Sequence, residues 1–422
     1  MEYGLIGAKL GHSYSKAIHE ALCGYRYELC SLPTEQQARD FLQKKAFRAI
    51  NVTIPYKQLV IPYCAWLEPR AKAIGAVNTV VNRDGILHGY NTDYDGFLYL
   101  ANQHGVDFKG KSVLILGTGG TSRTVHAVAK DQGAAEILFA SRTGKDGALT
   151  YEQAQAQSQV QILINTSPAG MYPNTGECHI RPAGLPRLEA VLDVVYNPFK
   201  TELILRAEEA GIPCASGLEM LVAQALYAAR QFTGRRIPSS KIQPIVRSIR
   251  AQRLNVCLVG MPSCGKSTIG RQLARALNRP FVDLDAEIEK AAGKSIPQIF
   301  EERGEDGFRA LETETAARFG MGSGQIISCG GGVVKRPENV RALRQNGVIV
   351  FIDRPVELLK VGGNRPLSTS MDGLKQMEAE RRPLYEAAAD LCVKNSGEPF
   401  SRATKAAQEA LYEAFGIERA QS

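Results

Sequence analysis

The sequence of 422 residues lacks the features of a membrane protein or a disulfide-stabilised protein. No apolar run approaches the roughly 18 to 20 residues that are needed to span a bilayer. The first residues, MEYGLIGAKLGHS, lack a basic stretch followed by an apolar one, so we expect no secretory leader. Nine cysteines occur without a C-x-x-C pair, which favours reduced thiols over a disulfide framework or a zinc site. We therefore expect a cytoplasmic protein.

Long runs of lysine and arginine with interleaved aromatic residues are also missing, although the formal net charge is +8. We therefore expect no nucleic-acid partner, and we interpret the charge as a mildly basic surface that would also suit small anionic ligands. The six histidines all precede residue 180 and show no metal-ligand spacing. A general base in the second half must therefore be a carboxylate or a bound phosphate. We expect a monomer that acts on small molecules.

The length and the periodicity indicate two or three domains. Short strands and helices alternate over residues 1–100, and a βαβ series restarts at Lys111. Near residue 250 the segment RRIPSSKIQP interrupts this pattern, and a further βα unit follows. The predicted fold class is α/β, with an open α/β substrate domain, a Rossmann domain and a P-loop NTPase-type parallel domain. The expected domains are 1–103 (completed by helices within 217–250), 104–216, a segment 217–253 of returning helices and linker, and 254–422.

A glycine-rich loop in the second predicted domain suits a dinucleotide. Gly117, Gly119 and Ser122 match G-x-G-x-x-[GAS] between the strand KSVLIL and a helix. Glycines there permit a tight turn and let backbone N–H groups approach a pyrophosphate. The next strand ends in ASRT, so Arg142 stands where an NAD site would have an acidic residue, and an arginine suits a 2'-phosphate. This favours NADP over NAD, although Arg142 could instead cap the sheet edge.

A lysine and a carboxylate in the first hundred residues are candidates for proton transfer. Lys57 follows NVTIPY at a predicted strand-to-helix turn, and Asp93 lies in GYNTD at another strand end. If folding brings them together, they can relay a proton to a carbonyl oxygen while hydride arrives on carbon. By spacing alone, two solvated surface charges are the better interpretation.

Six motifs in this half resemble those of the shikimate dehydrogenases. GHSYSKAIH, AINVTIPYK, IGAVNTV, GYNTDYDG, GTGGTSR and SGLEMLVAQA occur in family order over residues 1–240. The resemblance implies reversible, NADPH-dependent reduction of 3-dehydroshikimate to shikimate, with Lys57 and Asp93 as the catalytic pair. The substrate-binding residues that it implies are Ser13, Ser15, Asn51, Thr53, Asn78, Thr92, Tyr196 and Gln224. The NADP-binding residues that it implies are Gly117, Thr118, Gly119, Gly120, Thr121, Ser141, Arg142, Thr143, Val194 and Gly217. Ser13 could otherwise cap a helix over 14–22, with Ser15 in its first turn.

A second phosphate-binding loop opens the last predicted domain. Gly260, Gly265, Lys266 and Ser267 fit G-x-x-x-x-G-K-[ST], between the strand NVCLV and the helix TIGRQLARAL. In such a loop, backbone N–H groups surround the β-phosphate, the lysine reaches the β and γ oxygens, and the hydroxyl binds Mg²⁺. The motif predicts that this domain binds ATP or GTP.

Acidic and basic residues beyond this loop are candidates for binding an acceptor. In FVDLDAEIE we expect Asp283 and Asp285 to alternate along a strand end, one facing the metal and the other the acceptor. Three separated arginines follow: Arg309, Arg365 and Arg381. Isolated arginines are typical of surface helices. However, an acidic acceptor needs a bidentate cation for its carboxylate, and phosphoryl transfer needs a cation over the transferring group.

With CGGGVV at 329–334, these segments resemble shikimate kinase over residues 254–415. The resemblance implies that Asp285 accepts the proton of the acceptor hydroxyl, and that Arg309 and Arg381 hold its carboxylate. It also implies that Asp283 and Ser267 hold Mg²⁺, and that Lys360 stands where an arginine often packs near adenine. Backbone donors to the ring would come from Gly330, Gly331 and Gly332. The implied ATP-binding residues are Ser263, Cys264, Gly265, Lys266, Ser267, Thr268 and Arg365, the last of them in a closing lid.

Together the two resemblances predict a bifunctional enzyme that catalyses consecutive steps of the shikimate pathway with NADP(H), ATP and Mg²⁺. Two alternatives remain open. One is a quinate/shikimate dehydrogenase joined to a kinase for another small polyol. The other is a regulator whose kinase-like half binds its ligands without turnover. The presence of Lys266, Asp285, Arg309 and Arg381 argues against the regulator.

Overall fold

The structure is a computed structural model that describes residues 1–11, 13–145, 147–361, 370–397 and 399–418. The chain divides into two compact units, Met1–Val246 and Arg247–Ser422. None of the helices within the described ranges is long and apolar enough to cross a membrane. All nine cysteines are free thiols.

Six strands, β1 to β6 in chain order, form a mixed sheet at the start of the first unit. Their bounds are Tyr3–Gly7, Tyr27–Ser31, Ala49–Val52, Trp66–Leu67, Thr79–Arg83 and Ile86–Tyr90. The spatial order is β2-β1-β3-β5-β6-β4. Strand β5 is antiparallel to both of its neighbours, and the other pairs are parallel. Helices α1 to α4 span Ser15–Cys23, Glu35–Lys44, Pro69–Ile74 and Asp93–Gln103.

Five parallel strands form the second sheet of this unit. Strands β7 to β11 span Ser112–Leu116, Glu136–Ala140, Ile162–Asn165, Ala190–Asp193 and Cys214–Ala215, and helices α5 to α8 span Gly120–Asp131, Tyr151–Gln155, Glu202–Glu209 and Leu218–Thr233. The spatial order is β11-β10-β9-β7-β8. Every residue of the central strands β7 and β9 is buried, as expected for parallel strands that helices cover on both faces. The carboxyl ends of these strands therefore share one edge, where ligands of such sheets bind.

Helix α8 returns from the second sheet and packs closely on helix α4. Gly96 allows this approach, because a Cβ atom at that position would lie 2.8 Å from both the Met220 carbonyl oxygen and Gln224 Cβ. The close packing brings Gln224 beside the start of α4, where Asp93 lies. Thus a glycine on one helix places a polar side chain of the other within the candidate site.

The second unit is built around a third parallel sheet of five strands. Helix α9 spans Ile242–Arg253, so the division between the units falls within it. Strands β12 to β16 span Asn255–Val259, Phe281–Asp283, Ile326–Ser328, Gly347–Asp353 and Leu391–Lys394. Helices α10 to α15 span Lys266–Leu277, Leu284–Ala292, Ile296–Gly320, Pro337–Gln345, Met371–Ala388 and Ser401–Phe415. The order β13-β14-β12-β15-β16 leaves fully buried β12 in the centre, with the P-loop directly after it.

The expected alternation of Asp283 and Asp285 along one strand is wrong. Strand β13 ends at Asp283 and helix α11 begins at Leu284, so Asp285 lies in the first helical turn. Carboxylates are stabilised at this position by the positive end of the helix dipole and its unpaired N–H groups. The two acids therefore belong to different elements, since Asp283 ends a strand and Asp285 lies in the first turn of a helix.

Candidate active sites

Lys57 and Asp93 are in direct contact in the first unit. Lys57 lies in the turn that follows strand β3, and Asp93 is the first residue of helix α4, shortly after strand β6. The Lys57 Nζ atom lies 2.6 Å from Asp93 Oδ2, and the two side chains are only 15% and 9% exposed. The interpretation as two solvated surface charges is therefore wrong. A nearly buried ion pair of this kind can pass a proton along its hydrogen bond.

Asn78 holds the second oxygen of the Asp93 carboxylate. Its Nδ2 atom donates to Asp93 Oδ1 at 2.8 Å, to Thr92 Oγ1 at 3.0 Å and to Gln224 Oε1 at 3.3 Å. Its Oδ1 atom accepts from the Thr92 N–H at 2.8 Å. Four residues that the sequence predicted as site residues thus form one hydrogen-bonded cluster, which fixes the carboxylate toward Lys57.

Asn51, on strand β3, contacts this cluster through Asn78. Its Nδ2 atom donates to the Asn78 carbonyl oxygen and to Thr79 Oγ1, at 3.2 and 3.1 Å. Its Oδ1 atom accepts from the buried Tyr27 hydroxyl at 2.8 Å. The sequence reasoning missed Tyr27 and Thr79. Thr79 directly follows a predicted site residue, which is a usable signal, whereas Tyr27 lies 24 positions from Asn51 and offers none.

The other predicted substrate residues lie on separate segments of the first unit. Ser13 precedes helix α1, which begins at Ser15 with Tyr14 as its N-cap, one residue later than expected. Ser13 Oγ accepts from the Ser15 N–H at 3.2 Å and so satisfies one donor of the first turn.

The Tyr196 ring lies 5.5 Å from that of Tyr14, and burial raises the pKa of Tyr196 to about 12. Thr53 follows β3, and its N–H donates to the Ile6 carbonyl.

The dinucleotide loop has the backbone geometry that its glycines predict. Gly117 has φ of 107°, and a Cβ atom there would lie 3.0 Å from Thr166 Oγ1. Gly119 is exposed and precedes helix α5, whereas Ser122 is buried and donates to the Gly119 carbonyl at 2.5 Å. Thr118 is exposed and Thr121 half-buried on the same turn. A pyrophosphate at this helix start would meet N–H groups without an intervening Cβ.

Arg142 lies next to this loop at the same edge of the second sheet. Strands β7 and β8 are parallel and in register, and the Gly117 N–H donates to the Ala140 carbonyl at 2.8 Å. Arg142 and Thr143 are exposed just beyond β8, whereas Ser141 Oγ accepts from the Gly144 N–H at 3.2 Å. Residue 142 therefore lies at the sheet edge where the ribose of a bound cofactor would follow its pyrophosphate.

The backbone of Gly217 lies so close to the Val194 carbonyl group that no side chain would fit at position 217. The Gly217 N–H donates to the Val195 carbonyl at 3.0 Å, and a Cβ atom on Gly217 would lie 2.1 Å from the Val194 carbonyl oxygen. Both residues are at the carboxyl end of the second sheet, in the segments after β10 and β11. A glycine is therefore required where helix α8 leaves the sheet.

We expect Gly217→Ala to destabilise the first unit by about 1–3 kcal/mol, because the new methyl group must displace backbone. The measurement is the free energy of unfolding in urea. Gly176→Ala is the matched control, since a Cβ atom at Gly176 meets no atom within 4 Å. Equal stability of the two variants would contradict the proposed backbone contact.

In the second unit, the P-loop lysine is hydrogen-bonded to backbone carbonyl groups of the same loop. Lys266 is buried, and its Nζ atom donates to the carbonyl oxygens of Gly260 and Met261, at 2.9 Å each. Gly260 and Gly265 have φ of 141° and 102°, values that favour glycine. Ser263 has φ of 64° although it carries a side chain. Cys264 is buried beneath the loop, with Sγ 3.8 Å from the ammonium nitrogen, and Thr268 is exposed on the first turn of α10.

Ser267 and Asp283, the predicted metal ligands, are in contact. Ser267 Oγ donates to Asp283 Oδ2 at 2.7 Å and lies 3.1 Å from Ser328 Oγ. No group of three or more His, Cys, Asp or Glu side chains with metal-ligand geometry occurs in the described residues. The two oxygen donors fit Mg²⁺, which usually takes one or two protein oxygens and completes its shell with phosphate and water.

A cavity of about 780 Å³ brings the P-loop together with the predicted acceptor residues. The predicted residues that line it are Ser263, Gly265, Lys266, Ser267, Thr268, Asp285, Arg309, Gly330, Gly331, Gly332, Lys360 and Arg381. Its geometry leaves no room for side chains on the glycine turn. A Cβ atom on Gly330 would lie 2.8 Å from Asp285 Oδ1, and one on Gly332 would lie 2.2 Å from Arg309 Nη1. The absence of side chains at these glycines thus allows the Asp285 carboxylate and the Arg309 guanidinium group to line the same cavity.

Two acidic side chains position Arg309. Its Nη1 atom donates to Glu312 Oε2 at 2.8 Å, and its Nη2 atom donates to Glu305 Oε1 at 3.1 Å. Glu312 was missed by the sequence reasoning. Burial raises the pKa of the Glu312 carboxyl group, although Arg309 and Arg381 oppose this shift. Arg381 Nη1 donates to the Gly331 carbonyl at 3.1 Å, and the Tyr385 hydroxyl donates to the same oxygen. Arg365, the predicted lid residue, lies outside the described residues.

The comparisons with known proteins agree with this division of sites. Residues 5–80 match the model of the shikimate dehydrogenase substrate binding domain, and residues 217–247 match that of the shikimate 5'-dehydrogenase C-terminal domain. The shikimate dehydrogenase (NADP(+)) of Clostridium perfringens strain SM101 is 34% identical over 267 residues, which are 59% of this chain and 98% of that protein. The chain belongs to the shikimate dehydrogenase family. Residues 262–412 match the shikimate kinase model, so the chain also carries a shikimate kinase domain.

Solved structures match the dehydrogenase part of the fold. A chorismate mutase/shikimate 5-dehydrogenase fusion protein from Clostridium acetobutylicum is 31% identical with a TM-score of 0.55, covering 58% of this chain and 96% of that chain. A shikimate 5-dehydrogenase from Thermus thermophilus, solved with NADP(H) and shikimate, is 28% identical with a TM-score of 0.53, covering 59% and 99%. The predictions of an α/β fold and of a chain that combines these two domains are therefore confirmed.

Proposed function

We propose that this member of the shikimate dehydrogenase family reduces 3-dehydroshikimate to shikimate in its first unit and phosphorylates shikimate to shikimate 3-phosphate in its second. The observation that supports the first activity is the 2.6 Å contact between Lys57 and Asp93 within a cluster of buried polar side chains. The observation that carries the second is the cavity in which the P-loop faces Asp285, Arg309 and Arg381.

In the first reaction, the dinucleotide loop would hold NADPH, which would supply hydride for the carbonyl carbon. The Lys57 ammonium donates a proton to the carbonyl oxygen, and Asp93 keeps that ammonium oriented through the short hydrogen bond. The polar groups around the pair suit a small polyol acid, which offers little apolar surface and must be bound through hydrogen bonds. Asn51, Asn78 and Gln224 supply amide groups for this purpose, and Ser13 and Ser15 supply hydroxyl groups near the start of α1.

In the second reaction, Asp285 accepts the proton of the shikimate hydroxyl, and Arg309 and Arg381 hold its carboxylate. Lys266 leaves its two carbonyl partners and donates instead to phosphate oxygens. Ser267 and Asp283 would hold Mg²⁺, which would supply positive charge to stabilise the phosphates. The backbone of Gly330, Gly331 and Gly332 allows the acceptor ring to lie against the turn without steric conflict.

A coupled assay of the intact chain tests both activities. The purified protein is given 3-dehydroshikimate, NADPH, ATP and Mg²⁺, and the products are separated and identified. We expect shikimate 3-phosphate to accumulate as NADPH and ATP are consumed. Accumulation of shikimate without its phosphate would contradict the kinase proposal, whereas no oxidation of NADPH would contradict the dehydrogenase proposal. ATP consumption that does not depend on shikimate would favour a different acceptor.

We expect Arg142→Ala to lower kcat/KM for NADPH about tenfold to hundredfold, since it removes a charge-assisted contact to the 2'-phosphate. Kinetics with NADH should change less than about threefold, because NADH lacks that phosphate. Arg187→Ala, which removes an exposed arginine elsewhere in the first unit, is the control. A wild-type chain that prefers NAD, particularly with quinate as the substrate, would defeat both this assignment and the choice of substrate.

A further inference from the structure

His19 is a fully buried histidine of the first unit to which neither proposed reaction assigns a role. It lies on helix α1, one turn after Ser15, and the two side chains share the buried face of that helix. Its ring stacks on that of Tyr27, with ring centres 4.2 Å apart and planes 5° apart, and on that of Phe232 at 5.6 Å. These contacts fix the plane of the imidazole.

The surroundings of His19 determine which ring nitrogen carries its proton. Burial lowers the pKa of His19 to about 3, so the imidazole is neutral and carries a single proton. The Tyr25 hydroxyl lies 2.6 Å from Nδ1. Burial raises the pKa of Tyr25, so this hydroxyl keeps its proton and can donate a hydrogen bond to Nδ1. A bond of that direction leaves the ring proton on Nε2.

The Nε2 atom of His19 needs an acceptor, and Asn51 is the neighbour that can supply one. Nε2 is buried and has no hydrogen bond of normal geometry within the described part of the chain. Burial of an N–H group without a partner is costly. The Asn51 side chain acts on the ring as a hydrogen-bonding group and opposes the fall in the pKa of His19. Its Oδ1 atom accepts from the Tyr27 hydroxyl at 2.8 Å and has a second lone pair for Nε2–H.

Two donors at Oδ1 determine how the Asn51 amide is oriented. An amide that turned by 180° would exchange its oxygen and nitrogen, and its NH₂ group would then face the donors of Tyr27 and His19. The NH₂ group is therefore kept on the opposite side. There it donates to the Asn78 carbonyl oxygen and to Thr79 Oγ1, at 3.2 and 3.1 Å.

We propose that His19 is a positioning residue of the dehydrogenase site, which holds Asn51 in one amide orientation through a hydrogen bond from Nε2. The proposal rests on the dehydrogenase function proposed above, in which Asn51 binds the substrate. His19 acts on the substrate only through Asn51. Because the Lys57–Asp93 contact does not involve His19, its loss should weaken substrate binding and leave the chemical step nearly unchanged.

Two substitutions of His19 separate the hydrogen bond from the packing. His19→Phe keeps a flat ring against Tyr27 but removes Nε2, whereas His19→Gln loses the ring and keeps an amide N–H that can reach the position of Nε2. We expect His19→Phe to raise KM for 3-dehydroshikimate about tenfold, the upper part of the range for one hydrogen bond. Its kcat and its Kd for NADPH should stay within about twofold of the wild-type values. His19→Gln should return KM to within about threefold.

His126→Phe is the matched control for both variants. His126 is a half-buried histidine of helix α5 whose ring packs on Phe139, with ring centres 5.5 Å apart. We expect no change in KM or kcat from it. The free energy of unfolding in urea, measured for all three variants, shows whether the first unit remains folded.

A second measurement does not depend on turnover. The ¹⁵N NMR spectrum of the intact chain with labelled histidine reports which ring nitrogen carries the proton, and the signals of His19 are identified by their loss in His19→Gln. We expect a neutral ring with its proton on Nε2.

Each other outcome overturns the proposal in a recognisable way. Normal KM in His19→Phe together with raised KM in His19→Gln would mean that only the packing of the ring matters. Unfolding of both variants would mean that His19 serves the fold alone. A proton on Nδ1 would mean that Nε2 donates to nothing. By contrast, a wild type with its proton on Nε2 that does not reduce 3-dehydroshikimate would refute the proposed dehydrogenase function and leave the hydrogen bond from His19 to Asn51 intact.

Discussion

Replacing Lys57 by alanine is expected to lower kcat for reduction of 3-dehydroshikimate by about 10²–10⁴-fold, because the proton donor to the carbonyl oxygen is lost. The kinase activity of the same chain should stay within about twofold of the wild-type value, since the P-loop, Asp285 and both arginines are unchanged. Steady-state rates of both reactions, measured on one preparation, provide the test. The dinucleotide site is also intact in this variant, so the Kd for NADPH should change little.

Lys45→Ala is the matched control for this prediction. Lys45 is exposed in the same unit, and its Nζ atom donates to the Gly85 carbonyl at 2.6 Å without contacting the polar cluster. We expect normal turnover from it. Near-normal turnover in Lys57→Ala would remove the lysine from the chemistry, and a loss of both activities would point to misfolding instead.

Asp285→Asn is expected to have an effect of similar size on the other reaction. An amide cannot accept the proton of the attacking hydroxyl, so kcat for phosphorylation of shikimate should fall about 10²–10⁴-fold. The Kd for ATP should change little, because Asp285 is separate from the loop that binds the phosphates. Product formation and dehydrogenase rate are measured together, and the dehydrogenase rate should remain normal.

Asp306→Asn serves as the control for Asp285. Asp306 is an exposed acid on helix α12 that does not line the kinase cavity. Loss of phosphorylation in both variants would indicate a general effect of charge on this unit. A fully active Asp285→Asn would show that the phosphate or another carboxylate takes the proton.

Some parts of this molecule could be predicted because their chemistry is local in the sequence. The P-loop glycines follow a buried strand at fixed spacing, and the structure gives Gly260 and Gly265 the positive φ values that explain them. The same holds for Gly117 in the dinucleotide loop. In each case a few consecutive residues determine both the backbone shape and the ligand class.

Other parts depend on contacts between distant segments. The approach of Lys57 to Asp93 follows from the order of strands β3, β5 and β6, which spacing alone does not give and which the family resemblance supplied. Tyr27 reaches Asn51 only because β2 and β3 flank β1 in the sheet. The expectation that Asp285 continues the strand is wrong, because the strand ends at Asp283 and residues 284–292 form helix α11. Glu312 is different, because it lies three residues after Arg309 on helix α12, and this i,i+3 spacing is a usable sequence signal.

The buried ammonium of Lys266 has a consequence for the stability of the second unit. It lies among neutral carbonyl oxygens, and no carboxylate lies within ion-pair distance of it among the described residues. A positive charge in such surroundings is poorly compensated until polyanionic phosphates arrive. Bound ATP would therefore compensate the charge of Lys266. The melting temperature of the second unit should rise with ATP concentration, while that of the first unit should stay constant.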